Sequence, residues 1–282
     1  MAVLVKLNGV ASSGPTTLTD TPYITTGTII YVDSVTGADA NAGTREEKPK
    51  ATVFGASGAL TAATDGASDL IVCLSTHRET ISAAAFWTTT GLTAGVDLTN
   101  LSMVGRGTGT SRPQFTSAVA GVGLTVRAVG SRIENCYFVA STAATTSRIT
   151  FTSTATGGEI KDCYFECGAT DDDCIIVNAA TDNRIEGTTF KATAAPASGT
   201  AQRAIRFTGA AVRGMVRSCI VDGGSVGWTG NAIGGDSATA DGFRIQKLTL
   251  SNYTKLVFST AGAKGYISGV TSDTTSAFSW TE

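Results

Sequence analysis

The chain has 282 residues, and its 21 basic and 23 acidic side chains leave a net charge of −2 at pH 7. So balanced a charge gives no general attraction to nucleic acid or to an anionic membrane, and we expect neither as a partner. Only 16% of the residues are charged and 33 are glycine, a composition that favours short strands and tight turns over surface helices. An all-β fold is therefore expected.

The N-terminal sequence and the cysteines bear on where the protein is made. The start, MAVLVKLNGVASSG, has one lysine and too short an apolar run for a secretory signal or a membrane span, so we expect no export. The six cysteines form no C-x-x-C pair, so we expect free thiols in a reducing compartment and no metal site. His77 is the single histidine, which excludes Ser-His-Asp and Cys-His catalysis unless it alone supplies the base.

Residues 1–28 come first and lack the repeat that fills the rest of the chain. An apolar segment at residues 3–7 is typical of a strand, and a stretch rich in Ser, Thr, Gly and Pro follows it as far as Gly27. We predict an assembly arm, which pairs with a partner subunit or docks on a larger assembly and is not needed for folding of the remainder.

Residues 29–95 are predicted to form an N-terminal cap and the first coils of a solenoid. Strands are expected at residues 29–32 and 70–74, separated by a polar loop at residues 33–50 and a small amphipathic helix within residues 52–63. Thr52 is the expected N-cap of that helix. A helix here would cover the open end of the solenoid. Its apolar face would contain Val53, Ala56, Leu60 and Ala63.

Two polar segments of this region are interpreted as structural. The loop at residues 37–43 superficially resembles a calcium loop but lacks the bidentate acid at the required distance, so turn chemistry explains it as well. The sequence His77-Arg78-Glu79 follows the second strand, where the chain leaves the cap, and is expected to be structural.

A short block with the pattern apolar-x-turn-apolar-x-apolar recurs down the rest of the chain. A turn at the third position is indicated by its Asn, Asp and Gly residues, which most readily adopt a left-handed backbone. The first, fourth and sixth positions then point inward with the period of two of β structure. The seven blocks begin at Leu98, Ile133, Ile160, Ile185, Val216, Ile245 and Ile267.

A further strand is predicted 9 to 12 residues before each of the later blocks, which gives two or three strands per repeat and no helix between them. A parallel β-solenoid needs this arrangement, because each coil pairs only with the coils above and below it. We predict one inward column of fourth positions and a second of sixth positions. The first is Leu101, Cys136, Cys163, Thr188, Cys219, Leu248 and Val270, and the second is Met103, Phe138, Phe165, Phe190, Val221 and Leu250.

The opening of the cap resembles that of a known superfamily. The string YVDSVTGADANAGT from Tyr31 to Thr44, followed by Pro49-Lys-Ala-Thr52, resembles the start of the right-handed parallel β-helix (pectate-lyase-like) superfamily, in which phage tailspikes are included. The resemblance implies a right-handed parallel β-helix of about seven coils over residues 96–282. Family lyases use carboxylate-bound calcium with a basic proton abstractor, and family hydrolases use clustered carboxylates. No such motif of the family is found here, so the resemblance implies no cofactor.

The strongest candidate for chemistry is the run Asp171-Asp172-Asp173, with Glu166 before it and Asp182 after it. In a strand Asp171 and Asp173 would face the same way, as a carboxylate pair for glycoside hydrolysis or calcium binding requires. The alternative is a solvated polar loop, which is favoured because no neighbouring coil supplies a second matching cluster. If the protein is an enzyme, Asp171 and Asp173 are its catalytic residues.

The surface charges predict a row of ion pairs along one face of the solenoid rather than a carbohydrate-binding groove. Glu134, Lys161, Glu186 and Arg217 occupy the outward second position of successive blocks and alternate in sign, so surface pairing along one face is expected. Few aromatic residues are available to stack on sugar rings.

These features favour a structural protein of a bacteriophage virion. We predict a homotrimeric, tailspike-like decoration or cement protein of the capsid, made in the host cytoplasm and bound through residues 1–28 to the major capsid protein or another virion protein. The alternative is a tailspike or depolymerase that binds or cleaves host surface polysaccharide, or a glycan-binding module without activity.

Overall fold

The computed structural model describes residues 25–90, 97–194, 202–224, 228–235, 241–258 and 265–272. Of the predicted assembly arm, residues 1–24 lie outside the described residues. The described residues form 24 strands, one α-helix of a single turn, α1 (Ala59–Ala62), and a 3₁₀ turn at Gly109–Ser111. No helix among them is long and apolar enough to cross a membrane.

The strands are short and follow one another along the whole described chain. The first twelve are β1 (Ile29–Val32), β2 (Leu70–Cys73), β3 (Arg78–Ile81), β4 (Ala85–Phe86), β5 (Ser102–Gly105), β6 (Gln114–Ser117), β7 (Gly121–Val126), β8 (Arg132–Glu134), β9 (Tyr137–Val139), β10 (Thr145–Phe151), β11 (Glu159–Lys161) and β12 (Tyr164–Cys167). The remainder are β13 (Asp171–Asn178), β14 (Arg184–Glu186), β15 (Thr189–Ala192), β16 (Arg203–Thr208), β17 (Met215–Arg217), β18 (Ile220–Asp222), β19 (Trp228–Gly235), β20 (Phe243–Gln246), β21 (Thr249–Ser251), β22 (Tyr253–Phe258), β23 (Gly265–Ser268) and β24 (Thr271–Ser272).

The described strands form three parallel sheets. Sheet 1 has nine strands in the order β1-β2-β5-β8-β11-β14-β17-β20-β23, sheet 2 has eight in the order β3-β6-β9-β12-β15-β18-β21-β24, and sheet 3 has seven in the order β4-β7-β10-β13-β16-β19-β22. From β7 onward the chain visits sheets 3, 1 and 2 in turn, so each coil adds one strand to each sheet. The predicted all-β, right-handed parallel β-helix of about seven coils is confirmed.

The interior is built from columns of equivalent residues on successive coils. Ile133, Ile160 and Ile185 are paired in register on sheet 1 and are at most 1% exposed. Behind sheet 2 the rings of Phe138 and Phe165 stack with centroids 4.6 Å apart, and Phe165 stacks on Phe190 at 5.3 Å. In-register parallel pairing places like on like, so the repeated apolar positions of the sequence become continuous ladders.

The predicted corners are confirmed by the backbone. The third residue of all seven blocks has a positive φ, including Lys247 and Ser218, whose residue types do not favour it. In six blocks this residue lies at the corner after the sheet 1 strand, whereas Asn100 of the first block lies at the corner before it. At one corner the Asn135 side-chain amide donates hydrogen bonds to the carbonyl oxygens of Gly105 and Gly107, both at 2.8 Å. The φ values are 56° at Asn100, 53° at Asn135, 50° at Asp162, 61° at Gly187, 53° at Ser218, 51° at Lys247 and 61° at Gly269.

The first block was placed in the wrong register. Met103 pairs with Ile133 on sheet 1 and therefore belongs to the column of first positions, whereas Phe115 pairs with Phe138 and takes the place predicted for Met103. The cause is an insertion in this coil, because a long turn with the 3₁₀ segment separates β5 from β6 where later coils turn within a few residues. A fixed block length cannot detect such an insertion.

The predicted helix over residues 52–63 is reduced to α1, and Thr52 is not its N-cap. Gly58 occupies the N-cap position, while the Thr52 hydroxyl donates to Asp39 and accepts from the Gly55 amide. The backbone N–H groups of residues 51–54 are bound by carboxylates from elsewhere in the chain. The carbonyl oxygens of Thr52 and Val53 accept the N–H groups of Ala59 and Leu60, seven residues further on, so the helical bonds to residues four positions on are not formed there.

The cysteine prediction is correct for four residues and wrong for two. Cys136, Cys163 and Cys219 are free and at most 1% exposed, as predicted, and Cys73 is also free and buried. Burial raises the pKa of Cys136, and it raises the pKa of Cys219 to about 12. Cys167 and Cys174 form a disulfide, because the chain reverses between β12 and β13 and brings their Cα atoms to 6.7 Å. The four free cysteines thus fill space as small apolar side chains.

Candidate functional site

The predicted carboxylates lie at the start of β13, where the chain turns from sheet 2 into sheet 3. Asp171 is 0% exposed and Asp173 is 1% exposed, while Asp172 between them is partly exposed. The solvated polar loop favoured from the sequence is therefore wrong. The structure places both carboxylates inside a packed corner of the solenoid, which we call the Asp corner and define as Ser141, Arg148, Gly168, Asp171, Asp173 and Gln202.

Asp171 is held by a neighbouring coil. The Arg148 Nη2 atom donates to Asp171 Oδ2 at 2.7 Å, and both side chains are at most 1% exposed. The same oxygen accepts the backbone N–H groups of Gly168 at 2.7 Å and Ser141 at 3.2 Å. The Gln202 amide of the following coil donates to the Asp171 carbonyl oxygen at 3.3 Å. Asp171 therefore binds together three successive coils.

Asp173 makes a separate ion pair with an arginine of the next coil. Its partner in register on β16 is Arg203, whose Nε donates to Asp173 Oδ1 at 2.8 Å. Arg206 approaches the other oxygen, with Nη1 at 3.5 Å from Oδ2. Two guanidinium groups thus surround one carboxylate that is itself sealed from solvent.

The local sequence explains why these polar groups are buried. In β10 both Arg148 and Ile149 are buried, and in β13 both Cys174 and Ile175 are buried, so the strict alternation of a strand is broken at equivalent places. The Cys167–Cys174 disulfide closes the loop that contains Asp171. Asp171 and Asp173 share the inward side of β13 with the buried Ile175 and Val177, so both carboxylates point into the corner, where each charge needs a partner.

The electrostatics of the Asp corner are those of structural ion pairs. Burial raises the pKa of Asp171 and of Asp173 above the ordinary value, and the adjacent arginines oppose that shift. Raised carboxyl pKa values are also found in general acids, but a general acid must reach its substrate. At 0% and 1% exposure these two carboxyl groups have no open face on which a sugar could bind.

The other predicted acids are also engaged in structural contacts. Glu166 accepts a hydrogen bond from the Tyr137 hydroxyl and is paired in register with Lys191. Asp182 forms an exposed two-pronged pair with Arg213, with contacts of 2.7 and 2.6 Å. The structure therefore does not gather Glu166 and Asp182 around Asp171.

The charge ladder on sheet 1 is present as predicted. Lys161 Nζ lies 3.7 Å from a Glu134 oxygen, and Arg217 Nε lies 3.9 Å from a Glu186 oxygen. Arg132 adds a further contact to Glu134. Such ion pairs on the outer face contribute little to stability.

The two N-terminal polar segments are structural. In the loop at residues 37–43, Asp39 is occupied by the backbone N–H groups of Ala51 and Thr52. Glu79 accepts the backbone N–H groups of Val53 and Phe54 at 2.8 and 2.9 Å, and the buried His77 ring contacts it at 3.1 Å. Within the described residues no group of three or more His, Cys, Asp or Glu side chains could hold a metal ion.

Sequence reasoning did not identify Arg148, Arg203 and Arg206 as partners of the two carboxylates, nor the disulfide beside them. A usable signal existed, because each arginine lies 23 to 33 residues from its aspartate, which is close to one repeat. In a solenoid, opposite charges separated by one repeat length lie on adjacent coils and can pair.

Solved structures share this architecture. The crystal structure of pectate lyase Pel9A matches with a TM-score of 0.51 and 12% identity, covering 89% of this chain and 78% of the lyase. A rhamnogalacturonan lyase matches with a TM-score of 0.48 and 12% identity, covering 80% of this chain and 68% of that one. No protein-family model matches the sequence, and the search of curated proteins gives no match. At such low identity the likeness concerns the fold, and the chain has the parallel β-helix fold of the pectate-lyase-like type.

Proposed function

We propose that this protein is a structural component of a bacteriophage virion, a homotrimeric decoration or cement protein that stabilises the capsid. The observation that carries the proposal is the state of Asp171 and Asp173, the carboxylates nominated for catalysis. Each is sealed from solvent and bound by arginine at 2.7 to 2.8 Å. A pair of acids used in this way stabilises a corner and is not available to protonate a glycosidic oxygen.

Two further features support a structural role. The opening string from Tyr31 to Thr44 resembles that of β-helix proteins in phage virions. The parallel coils make a rod whose sheets offer flat faces for side-by-side association, and three-fold closure would bury such faces without open polymerisation. In this proposal residues 1–28 bind the major capsid protein or another virion protein, and the protein is made in the host cytoplasm.

The test uses the parent phage with this gene deleted. We expect the deleted particles to lose their DNA at a lower temperature than wild-type particles, and purified full-length protein to restore the difference. A protein lacking residues 1–28 is the matched control, expected to stay β-rich by circular dichroism and to fail to bind. Deleted particles as stable as wild-type particles would contradict the proposal.

A second candidate is a tailspike that binds or cleaves host surface polysaccharide. It is favoured by the fold, since pectate lyase Pel9A is a polysaccharide-degrading enzyme by name and shares it at a TM-score of 0.51. The measurement is release of reducing ends or unsaturated sugars from host envelope polysaccharide by the purified protein. We expect none. Release that is lost in the Asp173→Asn variant, with its melting temperature retained, would establish the enzyme instead.

A further inference from the structure

The outer face of sheet 1 carries balanced charge in the middle of the rod. On β8, β11 and β14 its outward residues are three cations and three acids, namely Arg132, Glu134, Glu159, Lys161, Arg184 and Glu186. Arg132 and Lys161 both contact Glu134, and Arg184 contacts Glu186. Each cation has an acid as a close neighbour, so this part of the face has no net charge.

The same two outward columns contain no acid on the last three described strands of sheet 1. On β17, β20 and β23 the outward residues are Met215, Arg217, Arg244, Gln246, Tyr266 and Ser268. Lys247 follows β20 at an exposed corner and adds a third cation. We call this surface the cationic end and define it as Met215, Arg217, Arg244, Lys247 and Tyr266.

The cations of this end are open to solvent and weakly paired. Arg217 is 44% exposed, and its nearest acid, Glu186, lies 3.9 Å away. Arg244 and Lys247 are exposed, and within the described part of the chain neither side chain forms an ion pair or a hydrogen bond. Asp241 lies at the corner before β20 and pairs with neither of them. Cations gathered on one face in this way produce a positive potential that attracts an acidic partner.

The uncharged members of the cationic end indicate that the partner is a protein. Met215 and Tyr266 are in register with Arg244 on its two sides, and Tyr266 is 60% exposed. Arginine, tyrosine and methionine are the residues enriched in protein–protein interfaces, where arginine pairs with carboxylates through two parallel hydrogen bonds. A nucleic acid would need a longer row of cations along its phosphates.

The position of the cationic end complements that of residues 1–28. Those residues lead into β1, which is the first strand of sheet 1, whereas β20 and β23 lie at the opposite end of the same sheet. At the usual strand spacing the nine strands place these two ends roughly 38 Å apart. Contacts at both ends would lay the rod along a surface, with the outer face of sheet 1 turned towards it.

We infer that the cationic end is a second docking surface, which binds an acidic protein face of the particle to which residues 1–28 attach the chain. The inference rests on the proposed function and adds the face of the rod that lies against the particle. Three strands span only about 10 Å, so the contact is small and weak by itself. It becomes effective because attachment through residues 1–28 holds the cationic end at a high local concentration.

The test is binding of the full-length chain to particles that lack it, measured by co-sedimentation over a range of protein concentrations and salt. We expect the double variant Arg244→Gln, Lys247→Gln to bind at least about 10-fold more weakly than the wild type and to depend less on salt. The matched control is the double variant Lys161→Gln, Lys191→Gln. It removes the same two charges from the middle of sheet 1 and from sheet 2, and it should bind as the wild type does.

The results that overturn the inference differ in what they say about the proposed function. A wild-type chain that does not bind particles removes both. Equal binding by the wild type and the Arg244→Gln, Lys247→Gln variant removes the cationic end alone, as does equal weakening by the control.

An anionic polysaccharide is the other partner to be tested. Retention of the wild type on immobilised heparin that is lost in the Arg244→Gln, Lys247→Gln variant, with particle binding unchanged, would show that the surface binds a glycan and would overturn the inference. If that variant melts at a lower temperature than the wild type, Tyr266→Asp takes its place. Its carboxylate would repel an acidic partner, so binding should weaken by a similar factor.

Discussion

Two adjacent parts of the interior are both built from residues of successive coils that stack in register, yet one is apolar and the other contains buried charges. Behind sheet 2, the rings of Phe115, Phe138, Phe165 and Phe190 stack on one another, with centroids 4.6 to 5.7 Å apart. At the Asp corner, in-register pairing brings Asp173 and Arg203 together at 2.8 Å. The aromatic ladder is stable with any number of coils, whereas each buried charge depends on a particular partner from the next coil.

The comparison shows how a solenoid can tolerate polar residues inside. An apolar column needs only repetition, and the loss of one member leaves a cavity. A polar corner needs complementarity, and the loss of one member leaves an unpaired buried charge.

The largest effect is expected from a charge placed in an apolar column. Ile160→Asp puts a carboxylate at a site that is 0% exposed and has isoleucine in register above and below. We expect the protein to lose its cooperative melting transition, because the cost is several kcal/mol with no partner available. The neighbouring outward substitution Lys161→Ala is the control and should melt almost as wild type does. An unchanged melting temperature for Ile160→Asp would show that the inward assignment is wrong.

Truncation within the aromatic ladder comes next. Phe165→Ala removes a ring that stacks on both Phe138 and Phe190, and we expect a loss of about 3–5 kcal/mol in the free energy of unfolding. Urea denaturation measures it. The exposed Tyr266→Ala should change stability by less than about 0.5 kcal/mol. A loss for Phe165→Ala as small as that for Tyr266→Ala would mean that the stacked rings do not contribute to the free energy of unfolding as core residues do.

The Asp corner should show strong coupling. Asp171→Ala leaves Arg148 buried without its carboxylate, and we expect a loss of about 3–5 kcal/mol. The double variant Arg148→Met with Asp171→Leu should lose much less than the sum of the two single variants. The exposed pair Asp182 and Arg213 is the control, with little or no coupling energy. Additive losses at the corner would contradict a buried ion pair.

The disulfide at the same corner should contribute less. Cys167 and Cys174 are seven residues apart, and closing so short a loop is worth about 2–3 kcal/mol. A reductant should lower the denaturation midpoint of the wild type and leave that of the Cys167→Ser, Cys174→Ser double variant unchanged.

The free thiols of Cys136, Cys163 and Cys219 should remain unlabelled by alkylating agents in the native protein, and rapid labelling would refute their inward column.

The smallest effect concerns Asp33, a buried carboxyl group whose pKa is lowered, whereas the pKa values of Asp171 and Asp173 are raised. Burial raises its pKa, but hydrogen bonds from the side chains of Thr36 and Thr76 and from backbone N–H groups outweigh burial, so its pKa is lowered. Its stabilising effect is therefore present above pH 3.8 and lost as the pH falls through the lower folded-state pKa. The stability difference between wild type and Asp33→Asn should narrow between pH 6 and pH 3. A constant difference would contradict the lowered pKa.

Much of the fold could be read from the sequence because it depends on local repetition. The apolar positions around Ile133, Ile160 and Ile185 predicted the inward column, and the turn residues predicted the corners. The positive φ at Lys247 shows that the block pattern was a better guide than residue type at a single position. Repetition supplies this information many times over, so one atypical residue does not obscure it.

The site and two local elements were decided only by the tertiary structure. Whether Asp171 is solvated or paired with Arg148 depends on which residues of the neighbouring coil lie against it, and Met103 was misplaced because one coil contains a longer turn. The helix at residues 52–63 was shortened because the carbonyl oxygens of Thr52 and Val53 bind N–H groups seven residues on, where a helix would bind those four residues on. The sequence by itself determined the repeat, because stacking needs only periodic apolar residues. Only the tertiary structure decided whether each charged side chain is solvated or buried in an ion pair, because burial and partners depend on how neighbouring coils pack together.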